Sequence, residues 1–377
     1  MNSAVTLRRE LHRHPELSGC EQETAARIAR YLEPLAPDKV VGGLGGTGCA
    51  FVFGRDGNGP TVMLRCELDA LPIQETGTSG WRSENDGIAH QCGHDGHMAI
   101  LAAVAEELAN RRPQNGRVVL LFQPAEETGA GARQVVADPA YAAIRPDLVF
   151  GLHNVPGRPL GQVIIREGTF CCASRGMRIQ LQGRPAHAAQ PETGLSPAVA
   201  LTRILHSFAG VSGSLAASDE LMFVTIVGVR MGGANFGVAP GDADIFVTLR
   251  AETDAGMQRM VAHCEQAVYE EAGDAGVRVT IAYEDVFDAT VNTPPAVDVI
   301  RRALRGSVED AAEPFRWSED FGCFTQLGNG AFFGLGAGVD MPDLHNEDYD
   351  FPDALIERGK EVFMKIVDES LRNPGND

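Results

Sequence analysis

The middle of the sequence, residues 174–286, shows the pattern strand, helix, strand, strand, helix, strand. This order is that of the ferredoxin-like split motif, and a segment of this length can form a unit of its own. On either side of it, strand-like apolar runs alternate with helix-like segments, which favours an α/β domain with a mainly parallel sheet. The sequence therefore predicts two domains: an α/β domain made of residues 1–173 and 287–377, and a smaller β-α-β-β-α-β domain inserted into it.

The charge of the chain restricts its partners. Its 377 residues include 51 acidic and 32 basic side chains, which gives a net charge of −19. A protein this acidic repels nucleic-acid phosphates and anionic membrane surfaces. No apolar run reaches the roughly 18 residues of a membrane span, and the N-terminal segment has no apolar stretch typical of a secretion signal. We therefore expect a cytoplasmic protein without nucleic-acid or membrane partners.

The densest cluster of potential metal ligands is the hexapeptide CGHDGH, residues 92–97, where a loop enters a helix expected to begin near Met98. Its two glycines allow the backbone to turn tightly around an ion. Thiolate and imidazole together suit Zn, Co, Ni, Mn or Fe better than Mg or Ca. A buried thiol beside helix-capping histidines explains this cluster equally well, so the metal hypothesis depends on other segments.

Three other segments carry residues of the same chemistry. Glu126 and Glu127 follow the apolar run 118–122, where a parallel sheet places its functional loops. Neighbouring side chains in an extended segment point in opposite directions, so one carboxylate can bind a metal while the other faces a substrate. His153 ends a second buried-strand pattern, and His345 lies near the C-terminus. Together with residues 92–97, these segments fit a two-metal hydrolytic site.

The sequence resembles the co-catalytic-metal amidohydrolases, a family that includes aminoacylases, hippurate hydrolases, carboxypeptidase G and the indole-acetyl-amino-acid hydrolases. The motifs that carry the resemblance span nearly the whole chain: RRELHRHPELS, ETAARIARYL, RCELDALPIQE, HQCGHDGH, FQPAEE, GLHNVP, GRPAHAAQP, WSEDFG and LHNEDYDF. The resemblance implies a catalytic α/β domain with an inserted lid and dimerisation domain. It also implies metal-dependent cleavage of the amide bond of a small N-acyl amino acid or a related amide.

For the metal centre, the resemblance implies two divalent ions per subunit, with Zn, Mn, Co and Ni as candidates. Cys92 would bridge the two ions. His94 and His153 would bind one of them, and Glu127 and His345 the other. The resemblance gives no ligand role to four other residues at family motif positions: Glu67, His97, His12 and His14.

For catalysis, the resemblance implies that Glu126 is the general base, which takes a proton from a metal-held water and delivers it to the leaving amine. His187, in the inserted domain, would stabilise the oxyanion after domain closure. Relatives commonly supply this histidine across a homodimer interface, so a homodimer through the inserted domain is expected. Asp69 lies where relatives place an acid that orients a metal-binding histidine, and Glu319 and Asp320 are expected to support the site similarly.

One departure from the family pattern concerns the substrate. Relatives have an Asn-Val-Ile-Pro element that helps to hold the substrate's free carboxylate, whereas here the aligned segment begins with Gly237. Asn235, two residues earlier, is a candidate replacement. Arg250 matches the family's arginine and can bind a carboxylate with two hydrogen bonds, although an exposed arginine at a strand end is the competing interpretation. Amide hydrolysis is therefore better supported than an amino-acid-shaped substrate.

Two alternatives to an N-acyl amino acid hydrolase stay open. A hydrolytic deaminase or arylamide hydrolase that acts on a nonstandard small substrate is favoured by the missing asparagine. A metal- or ligand-binding module without catalysis is the other alternative. Glu126 argues against it, because a binding module needs the metal ligands but no base beside them.

Overall fold

The computed structural model describes residues 3–55, 59–214 and 220–372. The strands along the chain are β1 (Lys39–Leu44), β2 (Gly48–Gly54), β3 (Thr61–Glu67), β4 (Arg117–Gln123), β5 (Leu148–Pro156), β6 (Val163–Ile165), β7 (Gly168–Cys171), β8 (Ala173–Gln182), β9 (Ala186–His187), β10 (Met222–Met231), β11 (Val238–Ala239), β12 (Asp242–Ala251), β13 (Arg278–Phe287), β14 (Thr290–Asn292), β15 (Glu309–Asp310) and β16 (Asn329–Gly338). The α-helices are α1 (Ser3–Arg13), α2 (Gln22–Leu32), α3 (His94–Asn110), α4 (Gly131–Ala137), α5 (Ala198–Ser214), α6 (Asp254–Asp274), α7 (Pro294–Ala303), α8 (Gly322–Thr325) and α9 (Ala354–Ser370).

The chain forms two compact units. The large unit is made of Met1–Phe170, Thr290–Pro314 and Asp320–Asp377, and the small unit of Cys171–Ala289 and Phe315–Glu319. The predicted bounds of the inserted domain differ from these by three residues at each end.

The segment Phe315–Glu319 was expected in the α/β domain but belongs to the small unit. Hydrogen bonds explain the difference. The Cys172 N–H donates to the Phe315 carbonyl at 3.0 Å, and the Arg250 guanidinium donates to the Arg316 carbonyl at 2.7 Å. Contacts of this kind join segments that are far apart in the chain, so a local sequence pattern does not predict them.

The large unit contains an eight-stranded sheet in the order β1-β2-β4-β3-β5-β16-β6-β15. In its centre, β3 runs parallel to β4 and β5, and β16 runs parallel to β5. Strands β3 and β4 are buried almost throughout, because both of their faces are covered and their sequences are apolar runs. The predicted α/β class with a mainly parallel sheet is confirmed. The carboxyl ends of these central strands meet at one edge of the sheet, where open α/β sheets place their ligand sites.

Helix α3 begins earlier than the sequence pattern predicts, at His94 rather than near Met98. Gly93 precedes it with a φ of 92°, a conformation that favours glycine. The Gly93 carbonyl accepts hydrogen bonds from the N–H groups of Gly96 and His97, which start the helix. His94 therefore lies in the first helical turn, which fixes its backbone more firmly than a loop would.

The small unit contains a four-stranded antiparallel sheet in the order β10-β12-β8-β13. Burial alternates along β12, because one face of the sheet packs on the apolar core that the unit shares with α5 and α6. The element order β8-α5-β10-β12-α6-β13 is the predicted ferredoxin-like order. A two-residue ladder between β9 and β11 is added to it. Among the described residues, no helix combines the length and the hydropathy that a membrane crossing requires.

Candidate metal centre

The large unit brings five predicted ligands together from four chain segments. Cys92 and His94 lie just before and at the start of α3, Glu127 in the loop after β4, His153 in β5 three residues before its end, and His345 in the loop after β16. Three of these segments lie in or after central strands of the sheet, towards their carboxyl ends. The strand ends thus account for the convergence that the sequence pattern predicts.

Two groups of three potential ligands share Cys92. The first consists of Cys92, His94 and His153, and the second of Cys92, Glu127 and His345; within each group the ligand atoms lie within 4.8 Å of one another. The first group is buried, whereas Glu127 is half-buried and His345 is exposed. These two groups contain the five residues to which the resemblance gives ligand roles, and the assignment of one ion to each group stays a prediction.

The hydrogen bonds of two histidines fix which ring nitrogen is available. His94 Nδ1 lies 2.8 Å from the Asp69 carbonyl oxygen, and His153 Nδ1 lies 2.9 Å from the Asn154 carbonyl oxygen. A carbonyl only accepts, so each Nδ1 carries the proton and each Nε2 offers a lone pair. His153 Nε2 lies 3.4 Å from Cys92 Sγ. Both rings therefore present a ligand atom to the centre.

The ionisation of these groups also fits a metal site. Burial lowers the pKa of His153 to about 3 and that of His94 well below its usual value, so both rings are neutral near pH 7. His94 Nε2 is buried and has no hydrogen-bond partner among the described residues. A buried acceptor without a partner is costly. A cation in the centre would use this lone pair.

Cys92 needs a positive charge in order to ionise. Burial and the carboxylates of Glu127 and Glu126 raise the pKa of its thiol well above the usual value. A coordinating metal ion removes the thiol proton outright. Sulfur, imidazole nitrogen and carboxylate oxygen are the donor set of zinc and similar first-row ions, so the residues fit the metals that the sequence predicts.

The loop that carries the glutamate pair is held by two buried carboxylates. The Ala125 N–H donates to Glu21 Oε1 at 2.8 Å, while the N–H groups of Glu126 and Glu127 donate to the two oxygens of Asp69 at 3.1 and 3.0 Å. Ala125 has a φ of 50°, which is costly for a residue with a side chain. These three bonds stabilise the strained turn and fix the direction of both glutamates.

Glu21 is a site residue that the sequence did not indicate. It stands at the start of α2, where an acid normally caps the helix, but its carboxylate makes no capping bond. It is fully buried and also accepts from the Gly19 N–H at 2.7 Å and the Thr47 hydroxyl at 2.7 Å. A helix-start acid has an ordinary local explanation, so no sequence signal separates this residue from a cap.

Asp69 contacts His94 through both its backbone and its side chain. His94 Nδ1 donates to the Asp69 carbonyl oxygen at 2.8 Å, and the Asp69 carboxylate Oδ1 lies 3.7 Å from the same nitrogen. The carboxylate also accepts from the loop amides of Glu126 and Glu127, and from the Ser18 hydroxyl at 2.6 Å. That the carboxylate orients His94 stays a prediction. Burial raises the pKa of Asp69 to about 6.

A buried ionic network braces the ends of β3 and β4. Arg65 donates to Gln123 Oε1 at 2.7 Å, to Glu67 and to Asp320 Oδ1 at 2.5 Å. Burial alone would raise the pKa of Glu67, but Arg65 and His97 hold it well below its usual value. Asp320 thus supports the strand ends.

The unit boundary runs between two neighbouring residues, since Glu319 is assigned to the small unit and Asp320 to the large unit. That Glu319 supports the site stays a prediction.

The remaining predicted residues lie in the small unit. His187 pairs with Val238 in the β9–β11 ladder. The Ala189 N–H donates to His187 Nδ1 at 3.0 Å, so the ring proton of the neutral imidazole is on Nε2 and the exposed side chain can donate from there. Asn235 Oδ1 accepts from the Gly237 N–H at 3.1 Å.

Arg250 is half-buried and donates to the Arg316 carbonyl at 2.7 Å and to the Ser318 hydroxyl at 2.9 Å. It forms no ion pair with any residue that the structure describes. Burial lowers its pKa. Its hydrogen bonds fix the direction of the guanidinium, and no described carboxylate pairs with its charge.

Comparison with known proteins identifies the family. The model of peptidase family M20/M25/M40 matches residues 63–369. A hippurate hydrolase from Campylobacter jejuni is 29% identical over 97% of this chain and 96% of its own length. An N-acetyl-L-cysteine deacetylase from Bacillus subtilis is 32% identical, covering 88% of this chain and 80% of its own.

A solved structure agrees with these relatives. A dinuclear metal-binding peptidase of family M20 from Bacillus subtilis superposes with a TM-score of 0.81 and 26% identity, covering 98% of each chain. The fold, the paired ligand groups and the relatives lead to one conclusion. The chain belongs to peptidase family M20/M25/M40, and it is a metal-dependent enzyme that hydrolyses amide bonds.

Proposed function

We propose that the protein binds two divalent ions and releases the acyl group from a small N-acyl amino acid. The observation that carries the proposal is the pair of three-ligand groups that share Cys92, with a second carboxylate, Glu126, beside them. Ions held by these groups would lower the pKa of a water molecule to about 7 and polarise the amide carbonyl. Zn, Mn, Co and Ni all suit the donor set.

Glu126 is the general base of this proposal. Its carboxylate is almost fully buried and lies 3.9 Å from His94 Nε2, outside the two ligand groups that contain Cys92. It takes a proton from the attacking water and gives it to the amide nitrogen, so that a carboxylate and an amine leave. The Asp69 and Glu21 contacts of the loop keep it aimed at the centre.

The turn that carries Glu126 gives a prediction for Glu21. Glu21→Ala removes the acceptor of the Ala125 N–H, and the freed turn should lower kcat by roughly 10- to 100-fold, because small displacements of a catalytic group are costly. Glu21→Gln keeps a neutral acceptor and should retain most of the activity. Steady-state kinetics at equal metal content compare the two variants; equal rates for Glu21→Ala and the unmodified protein would contradict the role.

His187 is proposed to donate from Nε2 to the oxyanion of the tetrahedral intermediate. Its tautomer supports this role, because Nδ1 accepts a hydrogen bond from the Ala189 N–H.

In keeping with the family pattern, we also propose a homodimer formed through the small unit. Strand β10, at an edge of its sheet, exposes Ile226 and Val227, and an apolar edge strand favours pairing with another chain. Sedimentation equilibrium should give twice the chain mass, and a monomer would contradict the dimer.

The substrate carboxylate is proposed to bind Arg250, with Asn235 in place of the missing asparagine at position 237. A side chain at position 237 would begin 3.5 Å from Asn235 Oδ1, so the two carboxamides would occupy neighbouring space. The names of the relatives, a hippurate hydrolase and an N-acetyl-L-cysteine deacetylase, support an amino-acid-shaped substrate. A cytoplasmic location stays part of the proposal.

Arg250→Lys should raise KM for N-acyl amino acids roughly 10- to 100-fold and leave amides without a carboxylate unaffected. The expected size follows from the loss of a two-bond contact with a charged group. Arg230→Lys, the same change at an exposed position of the small unit, is the matched control. An unchanged KM for Arg250→Lys would assign the carboxylate to another residue.

The proposed reaction is tested with the metal-reconstituted enzyme on N-acetyl, N-benzoyl and aryl-acyl amino acids, each beside the matched amide without a carboxylate. We expect cleavage of the carboxylate-bearing set. The glycine at position 237 supports one second candidate, an arylamide hydrolase or deaminase, for which the carboxylate-free set would be preferred. Hydrolysis of neither set would contradict both proposals.

A further inference from the structure

Asn154 follows the predicted ligand His153 in β5 and has no part in the proposed reaction, yet it is fully buried. Its side chain contacts two other segments of the large unit. Oδ1 lies within hydrogen-bond distance of His97 Nε2, at 2.5 Å, and Nδ2 donates to the Tyr349 hydroxyl at 2.5 Å. A buried carboxamide is stabilising only when its polar atoms are bonded, and here both ends are.

Each of these partners lies close in the chain to a predicted metal ligand. His97 follows His94 by three residues, about one turn of α3, so a bond to His97 fixes the start of that helix. Tyr349 follows His345 by four residues and is fully buried, so it anchors the loop that carries His345. The carboxamide of Asn154 therefore connects three segments that carry the three predicted histidine ligands.

Gly93, between Cys92 and His94, packs closely against the side chain of Asn154. A Cβ added to Gly93 would lie 2.7 Å from Asn154 Oδ1 and 2.8 Å from Nδ2, closer than Cβ atoms approach other heavy atoms in proteins. The backbone of residue 93 is thus in contact with the carboxamide, and only glycine permits this approach. Because Gly93 is the neighbour of Cys92, this contact also restricts the position of Cys92, which both ligand groups share.

His97 is held from its other side as well. Its Nδ1 donates to Glu67 Oε2 at 2.6 Å, and Glu67 is itself bound by Arg65. The chain Glu67–His97–Asn154–Tyr349 therefore runs from the end of β3 to the loop after β16, and Glu67 and His97 lie beside His94. All four side chains are buried.

We propose that Asn154 is a positioning residue that sets the spacing of the two metal sites by holding the histidine-bearing segments at fixed directions. The inference rests on the proposed function, because it takes Cys92, His94, His153 and His345 as ligands. An apolar residue of the same size would fill the space of the carboxamide but would hold neither His97 nor Tyr349. Groups that hydrogen-bond directly to metal ligands commonly contribute 10- to 100-fold to metal affinity, and Asn154 acts one step further out, through His97 and Tyr349.

The test compares Asn154→Leu with Asn292→Leu. Asn292 is a buried asparagine of the same unit whose side chain bonds to the backbone of Arg166 and Phe332 and to no predicted ligand or its anchor. The full-length proteins are stripped of metal and titrated with Co²⁺ while the visible absorption bands are recorded. Zn²⁺ affinity is measured by competition with a chelator, and the unfolding temperature of each metal-free protein is measured separately.

We expect Asn154→Leu to bind both ions roughly 10- to 100-fold more weakly and to give shifted Co²⁺ bands. Asn292→Leu should lower the unfolding temperature and leave affinity and bands unchanged. Tyr349→Phe removes a single hydroxyl and should weaken the ion of the Cys92, Glu127 and His345 group more than the other.

Unchanged affinity and unchanged Co²⁺ bands in Asn154→Leu would overturn the inference, and the proposed function would stand. If Asn154→Leu does not fold, Tyr349→Phe provides the test. The inference would be overturned if Tyr349→Phe weakened the binding of neither ion more than that of the other. If the unmodified protein took up fewer than two Co²⁺ ions per chain, the proposed two-metal function would fail, and this inference with it.

Discussion

Glu126→Gln is expected to lower kcat by roughly 10²- to 10⁴-fold and to leave both metal sites filled, because it removes the proton acceptor and keeps the size of the side chain. The glutamine retains the backbone bond to Asp69 Oδ1, so the loop should stay in place. The measurement is kcat on an N-acyl amino acid together with the metal content per chain.

Glu127→Gln is the matched control for this prediction, since it makes the same chemical change one residue later. Glu127 belongs to the second ligand group with Cys92 and His345. Its variant should therefore lose metal as well as activity, whereas Glu126→Gln should lose activity alone. Full turnover by Glu126→Gln with both ions bound would contradict the assignment of the base.

Cys92→Ala is expected to empty both metal sites and to abolish activity. Each ligand group contains three residues and shares this sulfur, so its removal leaves two ligands in each. Two ligands are fewer than the three protein ligands that catalytic zinc sites normally have. Metal content after dialysis is expected to fall from two ions per chain to less than one.

Two control variants, His345→Ala and Cys264→Ala, test whether the loss of both ions is specific to Cys92. His345 belongs to the second group only, so its variant should keep one ion per chain. Cys264 is a buried free thiol of the small unit, and its replacement should leave two ions bound. Retention of both ions by Cys92→Ala would exclude a bridging role for its sulfur.

The ends of the central strands were predictable because apolar runs followed by polar, ligand-bearing residues have a strong local pattern. Glu126, Glu127 and His153 each lie at or just after such a run, and the structure brings them to one edge of the sheet. The division of the ligands into two groups came from the family resemblance, since spacing alone left the pairing open.

Several features of the site could not be predicted, because they depend on contacts between segments that are far apart in the chain. Glu21 reaches the Ala125 amide across 104 residues, and Asn154 reaches Tyr349 across 195 residues. The bonds of the Asp69 carboxylate to the amides of Glu126 and Glu127 were not predictable for the same reason, since 57 and 58 residues separate the partners.

The position of residues 315–319 illustrates the same limit at the level of the fold. Their sequence lies between segments of the large unit, but Arg250 and Cys172 bind them to the small unit. The start of α3 was missed because the conformation of Gly93, rather than the apolar pattern that begins at Met98, decides where this helix begins.

The most direct test is a titration of the metal-free enzyme with Co²⁺ or Zn²⁺ while hydrolysis of N-benzoylglycine or an N-acetyl amino acid is followed. Two ions should bind per chain, and hydrolysis should depend on their binding and be lost in Glu126→Gln at full metal content. A protein that cleaves these amides equally well without metal, or that binds two ions and cleaves no amide, would contradict the two-metal amidohydrolase.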